Sequence, residues 1–232
     1  MILSSQDKNW LNKDYPTLTI DKTGILGKIY IKATYNKERD RFLNLTNTDL
    51  NDVGGEVLDG EFKINLRERT VKVTSRLPAL KIDGIEQIPA RHLNKGDDSA
   101  CLCNPLEEDE YLLNFEIKTF FEKLVVPFLY GQLYYNQHTK WPWGEYAHGG
   151  SGILESYAKL QNLTKVQECI RLLKMDPKWN NIKLLLLQKS PIGGHTICFC
   201  DKGGRMRVCH PDTLEGIRKL RDDLMLKDIS VE

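Results

Sequence analysis

The chain has 232 residues, with 33 lysines and arginines against 32 aspartates and glutamates, so its formal net charge is +1. This length allows a full hydrophobic core, and the balanced charge excludes a bulk electrostatic field that would attract nucleic acid or a membrane surface. The longest apolar runs fall far short of the ~18 residues of a membrane span, and no basic-then-apolar leader follows Met1. We therefore expect a soluble, cytoplasmic protein whose partners are chosen by specific contacts.

The six cysteines fall into clusters along the chain. They are Cys101, Cys103, Cys169, Cys198, Cys200 and Cys209. Five of the six belong to two short groups that each begin with a Cys-x-Cys pair. In a reducing compartment such clusters indicate thiolate chemistry or metal binding, whereas a disulfide framework spreads its cysteines along the chain.

The first part of the chain alternates apolar and polar side chains, which is typical of half-buried strands. One alternating run begins at Gly27, a second spans Glu61 to Leu66, and a third lies around Val71 and Val73. The polar stretch from Thr46 to Gly60 predicts an exposed excursion that ends in a turn. Together the runs predict an antiparallel meander.

Helical periodicity replaces this alternation after a loop-rich passage bracketed by Pro78 and Pro89. The acidic group Glu107 to Glu110 suits the N-terminus of a helix, where carboxylates interact favourably with the helix dipole. Apolar residues then recur with the spacing of a buried helix face. They are Ile117, Phe120, Phe121, Leu124, Val125 and Phe128. Pro127 should kink or end this helix near Val126.

The last third of the chain is also helical in pattern. A capping box is predicted at Thr164 to Gln167, followed by an apolar stripe on which Cys169 is expected to be a small buried residue. A further helix is predicted from Leu214 to Leu224. The sequence thus predicts an α+β fold, with residues 1–150 forming an antiparallel meander with flanking helices and residues 151–232 forming a small helical region that binds metal.

The second cysteine cluster provides three thiols and one imidazole, the ligands of a tetrahedral structural zinc site with no position left for substrate water. The four are Cys198, Cys200, Cys209 and His210. Gly203-Gly204 between them allow the chain to fold both ligand pairs onto one ion. The stretch resembles the SEC-C-type zinc motif, in which Cys-x-Cys, eight residues and then Cys-His or Cys-Cys follow one another. His195 is an outside candidate ligand, and a cysteine-rich hairpin without metal is the alternative.

The first cluster offers a candidate nucleophile, Cys101. A thiol attacks as its thiolate, from a reference pKa of ~8.5, and acyl transfer also needs donors where the oxyanion develops. Asn94 on the preceding loop can supply such a donor, and His92 lies two residues before it. From chemistry alone, an intracellular cysteine of this kind is more often structural than catalytic.

The order of residues around Cys101 resembles the active-site sequence of a known enzyme family. His92-Leu-Asn94, a turn containing Gly96, and then Ala100-Cys101-Leu102 resemble the His-Pro-Asn loop and Cys-Leu active site of ubiquitin-conjugating enzymes. The predicted meander before this stretch and the long helix after it follow the order of elements in that fold.

The resemblance implies that Cys101 accepts the C-terminal carboxyl group of a partner protein as a thioester. It implies that Asn94 orders the loop and helps the oxyanion, and that His92 is mainly structural. Leu93 replaces the proline of the family, which bears on the role of the loop. Cys103 lies where an acidic residue often follows, so it is either a resolving thiol or a structural one.

Downstream residues extend the resemblance over roughly residues 15–150. A Pro-x-Glu-Glu stretch, a helix ending in Pro-Phe-Leu-Tyr and the loop Trp-Pro-Trp-Gly-Glu-Tyr-Ala-His-Gly look like bacterial conjugating-enzyme-like proteins of anti-phage operons. More closely, they look like the stand-alone form in cyclic-oligonucleotide signalling (CBASS) operons, beside a cGAS-like nucleotidyltransferase. The resemblance implies that the C-terminal tail of this nucleotidyltransferase is the carboxyl donor. No Gly-x-Gly-x-x-Gly nucleotide loop of an activating enzyme occurs in the sequence, so the route by which Cys101 is charged stays open.

The aromatic loop is expected to contribute to partner binding. Trp141 and Trp143 are interpreted as groove or core lining, and His148 either packs against them or lies near Cys101 as a wall or proton-transfer group. Three functions are then open: a thioester-forming conjugating enzyme, an inactive adaptor that binds a partner's C-terminal tail, and a cysteine hydrolase or deconjugating enzyme with His92 or His148 as base.

Overall fold

The computed structural model describes residues 3–46, 54–69, 75–94, 96–143, 147–160, 162–200 and 203–231. The chain divides into two compact units. The first comprises Met1–Cys103 and Glu108–Gly144, and the second comprises Asn104–Glu107 and Glu145–Glu232. The sequence pattern places the boundary at residue 150, so the observed division differs by a few residues and by the short segment Asn104–Glu107.

This short segment joins the second unit through its own contacts. The Asn104 side-chain amide donates to the Gly152 carbonyl at 2.9 Å, and the Ser156 hydroxyl donates to the Glu107 carboxylate at 2.8 Å. Leu106 between them is fully buried in the core of the second unit. These contacts are between residues far apart in sequence, which is why no local pattern indicates them.

The first unit contains an antiparallel sheet. Its described strands are β1 (Leu18–Ile20), β2 (Gly24–Asn36), β3 (Arg41–Asn44), β4 (Glu56–Arg67) and β5 (Ala79–Ile82). The hydrogen-bonded order is β1-β2-β4-β5, with β3 paired to the end of β2. In β2, Ile29, Ile31 and Ala33 are completely buried and alternate with exposed residues, as their pattern predicts. The predicted α+β class and the antiparallel sheet are confirmed.

Two predictions about the bounds of strands are wrong. β4 begins at Glu56, so Gly60 lies inside a strand and not in a turn. At this glycine a Cβ atom would come within 2.8 Å of the end of the Leu133 side chain, so a larger residue would make Leu133 shift. β5 lies in the passage for which the flanking prolines predict a loop. This segment forms a strand because its residues pair with β4. The expected run around residues 71–73 and most of the excursion, residues 47–53, lie outside the described residues.

The first unit also contains four described α-helices, the last of which packs against β2 and β4. They are α1 (Ser5–Asp14), α2 (Asp109–Leu112), α3 (Ile117–Phe120) and α4 (Val126–His138), with a π-helical turn at Phe121–Val125. The predicted apolar stripe is buried along its whole length. The prediction that Pro127 kinks or ends this helix is wrong as to the end, because the helix continues to His138. Pro127 follows the π turn and lies in the first turn of α4, where its missing N–H costs little.

The second unit is helical in its described part. Its helices are α5 (Gly149–Lys159), α6 (Val166–Lys174), α7 (Trp179–Leu187), α8 (Met206–Cys209) and α9 (Pro211–Leu226). α5 and α9 approach each other at Gly216, where a Cβ atom would lie only 1.9 Å from the Leu154 carbonyl oxygen. The apolar face of α9 is buried as predicted, and Cys169 on α6 is completely buried.

The start of α6 differs from its prediction. The capping box at Thr164 to Gln167 is wrong, since the side chain of Asn162 accepts the Thr164 N–H at 2.9 Å and caps a short 3-10 turn, Leu163–Lys165. The α-helix follows that turn directly. Among the described residues, none of the helices is long and apolar enough to cross a membrane.

Candidate functional site

The segment from Arg91 to Cys103 forms a small hairpin in the first unit. Leu93 and Ala100 pair as an antiparallel bridge, and the Cys101 N–H donates to the His92 carbonyl at 2.7 Å. The Ala100 N–H donates to the Leu80 carbonyl at 2.7 Å, which joins the hairpin to β5. Cys101 therefore directly follows a short β bridge, and it is exposed to solvent.

Asn94 orders the turn of this hairpin. Its side-chain amide donates to the Ser99 hydroxyl at 3.0 Å and to the Ala100 carbonyl at 3.2 Å. Its backbone N–H donates to the Ser99 carbonyl at 2.7 Å. Gly96 in the turn has a φ of +101°, a backbone conformation that residues with a side chain rarely adopt. These contacts support a loop-ordering role for Asn94 and occupy both N–H groups of its amide.

His92 and Trp141 hold the other side of the hairpin. The His92 backbone lies in the left-handed region, with φ +52°, and its ring meets the Trp141 ring edge-on at 4.7 Å between centroids. The Trp141 indole N–H donates to the Ala90 carbonyl at 2.8 Å. Trp141 is buried against Gly131, where a Cβ atom would lie 2.0 Å from the indole ring. His92 is thus packed as part of the scaffold, consistent with the structural role that the resemblance implies.

The other expected partner-binding residues, Trp143 and His148, belong to different units. Trp143 is half-buried and packs against the rings of Tyr35, Phe42 and Tyr130 in the first unit. His148 is exposed and belongs to the second unit, where it directly precedes α5. The burial of Trp141 leaves it little surface for a partner, whereas Trp143 keeps an accessible edge.

Two largely buried charged groups that the sequence analysis does not single out act on the electrostatics of Cys101. They are the guanidinium of Arg69 and the carboxylate of Glu108. Loss of hydration raises the pKa of the Cys101 thiol, the Arg69 cation acts against this rise, and the Glu108 anion adds to it. Because the net pKa lies above the ordinary value, the resting group at neutral pH is the thiol.

Arg69 links the end of β4 to the hairpin. Its Nε donates to the Leu77 carbonyl at 3.0 Å, and its Nη1 donates to the Asp97 carboxylate at 2.7 Å. The side chain is 8% exposed. Asp97 also accepts from the Ser99 N–H and hydroxyl. Burial alone would raise the pKa of Asp97, but these hydrogen bonds and the Arg69 charge hold it below its usual range.

Glu108 contradicts the expectation of a solvated helix start. α2 begins one residue later, and the Glu108 side chain is only 1% exposed. It accepts the Arg76 N–H at 2.7 Å. Desolvation raises the pKa of Glu108 in spite of hydrogen bonds from Ser75 and Arg76 and the nearby charge of Arg69. An acidic run at a helix start gives no sign of which carboxylate turns inward, so sequence reasoning missed this residue.

The second candidate site is the expected metal centre. Its four donor atoms lie within 4.8 Å of one another in the second unit. They belong to Cys198, Cys200, Cys209 and His210. The shortest separations are 3.2 Å between the Cys200 and Cys209 sulfurs and 3.3 Å between the Cys198 sulfur and His210 Nδ1. These four groups could hold one metal ion.

A hairpin and one helical turn bring these donors together. The Cys198 N–H donates to the Gly204 carbonyl at 2.8 Å, and α8 then places Cys209 and His210 in succession. A Cβ atom on Gly204 would lie 3.3 Å from that of Cys209, so the glycine permits this close approach. His195 lies outside the group, with its Nδ1 2.9 Å from an Arg205 nitrogen.

The donor set fits a thiophilic dication. Burial and the neighbouring thiols raise the pKa of Cys198 to about 12. The Cys198 sulfur is therefore stable as a thiol or as a thiolate on a cation, since a metal deprotonates the sulfurs that coordinate it. Three sulfurs and one imidazole are ligands of structural zinc, and hard cations such as Mg²⁺ prefer oxygen.

The chain has no match among known proteins in three kinds of comparison. No protein-family model, no curated protein and no solved structure matches it. The description of both sites therefore depends on the residues of this chain. The structure brings the three expected catalytic residues, His92, Asn94 and Cys101, together in one hairpin. Arg69 and Glu108 are two further residues whose charges act on the pKa of Cys101.

Proposed function

We propose that the protein is a conjugating enzyme that carries an acyl group on Cys101 as a thioester and transfers it to an amine. The observation that carries this proposal is the hairpin itself. It presents one exposed cysteine on a backbone that Asn94 orders, and the buried Arg69 guanidinium is anchored on the same hairpin through Asp97. This arrangement suits a nucleophile that must be reached by large substrates.

The resting thiol has a chemical consequence for this proposal. A thiol with a raised pKa is a weak nucleophile at neutral pH, so it needs an activated donor and not an ordinary peptide bond. Once the acyl group is on sulfur, attack by an amine forms a more stable amide and regenerates the thiol. Cys101 is exposed as a residue, so a donor and then an amine could reach it in turn.

The donor that we propose is the C-terminal tail of a cGAS-like nucleotidyltransferase in a bacterial anti-phage operon. The support is the resemblance carried by the Cys101 loop and by the downstream aromatic loop. Trp143 belongs to the described part of that aromatic loop and is half-buried, and it is our candidate for contact with the tail. Transfer of the tail to an amine would then prime the nucleotidyltransferase for signalling.

We also propose that the four-ligand cluster holds a structural Zn²⁺. All four ligands come from protein side chains, so the ion would have no open position for a substrate. Its role would be to fix the hairpin and α8 at the start of α9. Cys101 supplies none of the ligands, so the two sites would act independently in their chemistry.

The test is to incubate the protein with the nucleotidyltransferase encoded beside it and to trap adducts under non-reducing conditions. We expect a covalent adduct that thiol reagents release and that Cys101→Ala abolishes. Cys103→Ser is the matched control and should keep the adduct. An adduct that persists unchanged in Cys101→Ala would contradict the proposal.

An adaptor without catalysis is the second candidate, and the raised pKa of Cys101 is the observation that favours it. A thiol that stays protonated can line a binding surface without reacting. This function predicts that the nucleotidyltransferase tail binds Cys101→Ala as tightly as it binds the wild type. It also predicts that the substitution has no effect on phage resistance, whereas the conjugating enzyme loses resistance.

A further inference from the structure

The four donors of the expected metal centre differ in their exposure. Cys198 is buried, with 4% of its surface exposed, and its sulfur lies 3.3 Å from His210 Nδ1. Cys200 and Cys209 are partly exposed, and their sulfurs lie 3.2 Å from each other. The donor set therefore divides into one buried cysteine beside an imidazole and one pair of cysteines that are partly open to solvent.

The Cys200 and Cys209 sulfurs can reach bonding distance by a small movement. Two sulfurs in a disulfide lie about 2.05 Å apart, so this pair has to close by only about 1 Å. Backbone contacts hold the two segments of the hairpin together. The Cys198 N–H donates to the Gly204 carbonyl at 2.8 Å, and the Cys209 N–H donates to the Arg205 carbonyl at 2.8 Å. These contacts involve no side chain of the site, so replacing one donor side chain does not remove them.

Other disulfides among the three cysteines are less favourable. Cys198 and Cys200 have a single residue between them, and a loop this short closes only with strain. Cys200 and Cys209 are nine positions apart, which leaves the backbone between them more freedom. Because Cys198 is the buried member, an oxidant in solution reaches it last. The geometry therefore favours one pairing, Cys200 with Cys209.

We propose that Cys200 and Cys209 form a redox pair, which hydrogen peroxide or another hydroperoxide converts into a disulfide. The disulfide depends only on the two sulfurs, whereas its effect on a metal depends on the proposed zinc site. A structural zinc ion uses four protein ligands, and the disulfide removes two of them. The Cys198 sulfur and the His210 imidazole would then hold the ion too weakly to retain it.

The oxidation balances with one peroxide per disulfide. One thiolate attacks a peroxide oxygen, the O–O bond breaks, and the sulfur becomes a sulfenic acid while hydroxide leaves. The second thiolate attacks this sulfur, the S–O bond breaks, and a second hydroxide leaves as the S–S bond forms. Two protons convert both hydroxides into water. Two electrons thus pass from the sulfurs to the peroxide, and the two thiolates that bound the cation are consumed.

The reaction gives the metal centre a reversible response to oxidants. Loss of the ion would loosen the hairpin and α8, which the proposed zinc fixes at the start of α9. A thiol reductant exchanges with the disulfide and restores both donors, so the centre can bind the metal again. Cys101 and its hairpin take no part in these steps. The inference therefore goes beyond the proposed conjugating function.

The test treats zinc-loaded wild-type protein with hydrogen peroxide. A chromogenic chelator in the solution reports the released zinc, and free thiols are blocked with N-ethylmaleimide before peptide mapping by mass spectrometry. We expect a disulfide between Cys200 and Cys209 that appears in step with zinc release, close to one ion per disulfide. Dithiothreitol followed by zinc should reverse both changes. Peroxide also oxidises other exposed cysteines such as Cys101, and the map separates their products from this disulfide.

Three variants distinguish the pair from the other cysteines. Cys209→Ser removes one sulfur of the pair and should form no disulfide at Cys200. Cys198→Ser keeps both sulfurs and should still form the disulfide, although it binds zinc more weakly. Cys103→Ser is the matched control and should leave the disulfide and the zinc release unchanged. The map of the zinc-loaded wild type decides the matter if melting curves show that a variant does not fold.

Zinc that leaves without a disulfide, or a disulfide that joins Cys198 to one of its neighbours, overturns the inference. So does a wild type in which Cys200 and Cys209 stay reduced after Cys101 is fully oxidised. If the purified protein holds no metal and still forms the Cys200–Cys209 disulfide, the redox pair stands and the zinc assignment fails. The adduct on Cys101 is measured separately, so failure of the conjugating function leaves this inference unaffected.

Discussion

Two short hairpins carry cysteine clusters in this protein, and they arrange them differently. In the Cys198–His210 hairpin, four donor atoms face one another within 4.8 Å. In the Arg91–Cys103 hairpin, Cys101 is exposed, and its charged neighbours Arg69 and Glu108 come from other parts of the first unit. A metal centre can thus be assembled from adjacent residues, whereas the environment of a nucleophile requires distant ones.

Removal of the metal ligands should have the largest effect. Cys209→Ser, or chelation, leaves the remaining donor atoms without a cation, and we expect the metal-loaded second unit to lose on the order of 5 kcal/mol in the free energy of unfolding. Zinc content should be close to one ion per chain and should fall to background in the variant. Hydrogen exchange should rise in α8 and the start of α9.

Cys103→Ser is the control for this prediction, because it alters a Cys-x-Cys pair of the other hairpin. It should leave zinc content unchanged. If purified wild-type protein contains no metal, the assignment of these four residues as metal ligands is wrong. The contrast between a metal-binding hairpin and a nucleophile-bearing hairpin would then no longer hold.

Trp141→Phe should have the next largest effect, on the first unit. The change removes the 2.8 Å hydrogen bond to the Ala90 carbonyl and leaves a cavity next to Gly131. We expect a loss of about 2–3 kcal/mol in the free energy of unfolding, measured by denaturant titration. Trp143→Phe, at a half-buried ring, should cost less. A larger loss for Trp143 would contradict the assignment of Trp141 as the scaffold for His92.

The sequence predicts the features of this fold that have a local residue pattern and does not predict those that depend on distant contacts. The alternation in β2 and the stripes on α4 and α9 are local patterns, so the strands and helices that carry them were predictable. The metal ligands are predictable for the same reason. β1 and β3 are short and depend on pairing with β2, and the helix passes Pro127 because a π turn precedes it. No local pattern indicates these features.

The candidate active site divides in the same way. His92, Asn94 and Cys101 form a local pattern that one stretch of sequence displays. Arg69 and Glu108 reach the same site only because the chain folds β4, the hairpin and the start of α2 together. Their residue types are common on surfaces, so nothing in the sequence marks them as buried neighbours of a thiol.

Glu108→Gln should change the reactivity of Cys101 in a defined direction. The Glu108 anion raises the pKa of the thiol and the Arg69 cation lowers it. Without the anion the pKa falls, so more thiolate is present at mildly alkaline pH, and alkylation by iodoacetamide should become about two- to tenfold faster. In the wild type the rate should rise with pH to a midpoint above the ordinary cysteine value. Glu110→Gln, at an exposed side chain, should leave the rate unchanged.

Asn94→Ala should have the smallest effect on stability. It removes the amide hydrogen bonds to Ser99 and Ala100, which together contribute about 1–2 kcal/mol to the order of the hairpin. We expect faster hydrogen exchange of the Cys101 N–H, with little change in the melting temperature of the first unit. Asn114→Ala, at an exposed position, is the matched control. Unchanged exchange in Asn94→Ala would contradict its loop-ordering role.

The most direct test of the central claim is the intact mass of the protein after exposure to an activated C-terminal peptide of the nucleotidyltransferase that we propose as donor. The account predicts one added acyl group per chain, located on the Cys101 peptide, released by thiols and absent from Cys101→Ala. It also predicts that a primary amine discharges this group as an amide. An acyl group that is absent from the wild type, or that is found on another residue and persists in Cys101→Ala, would contradict the account.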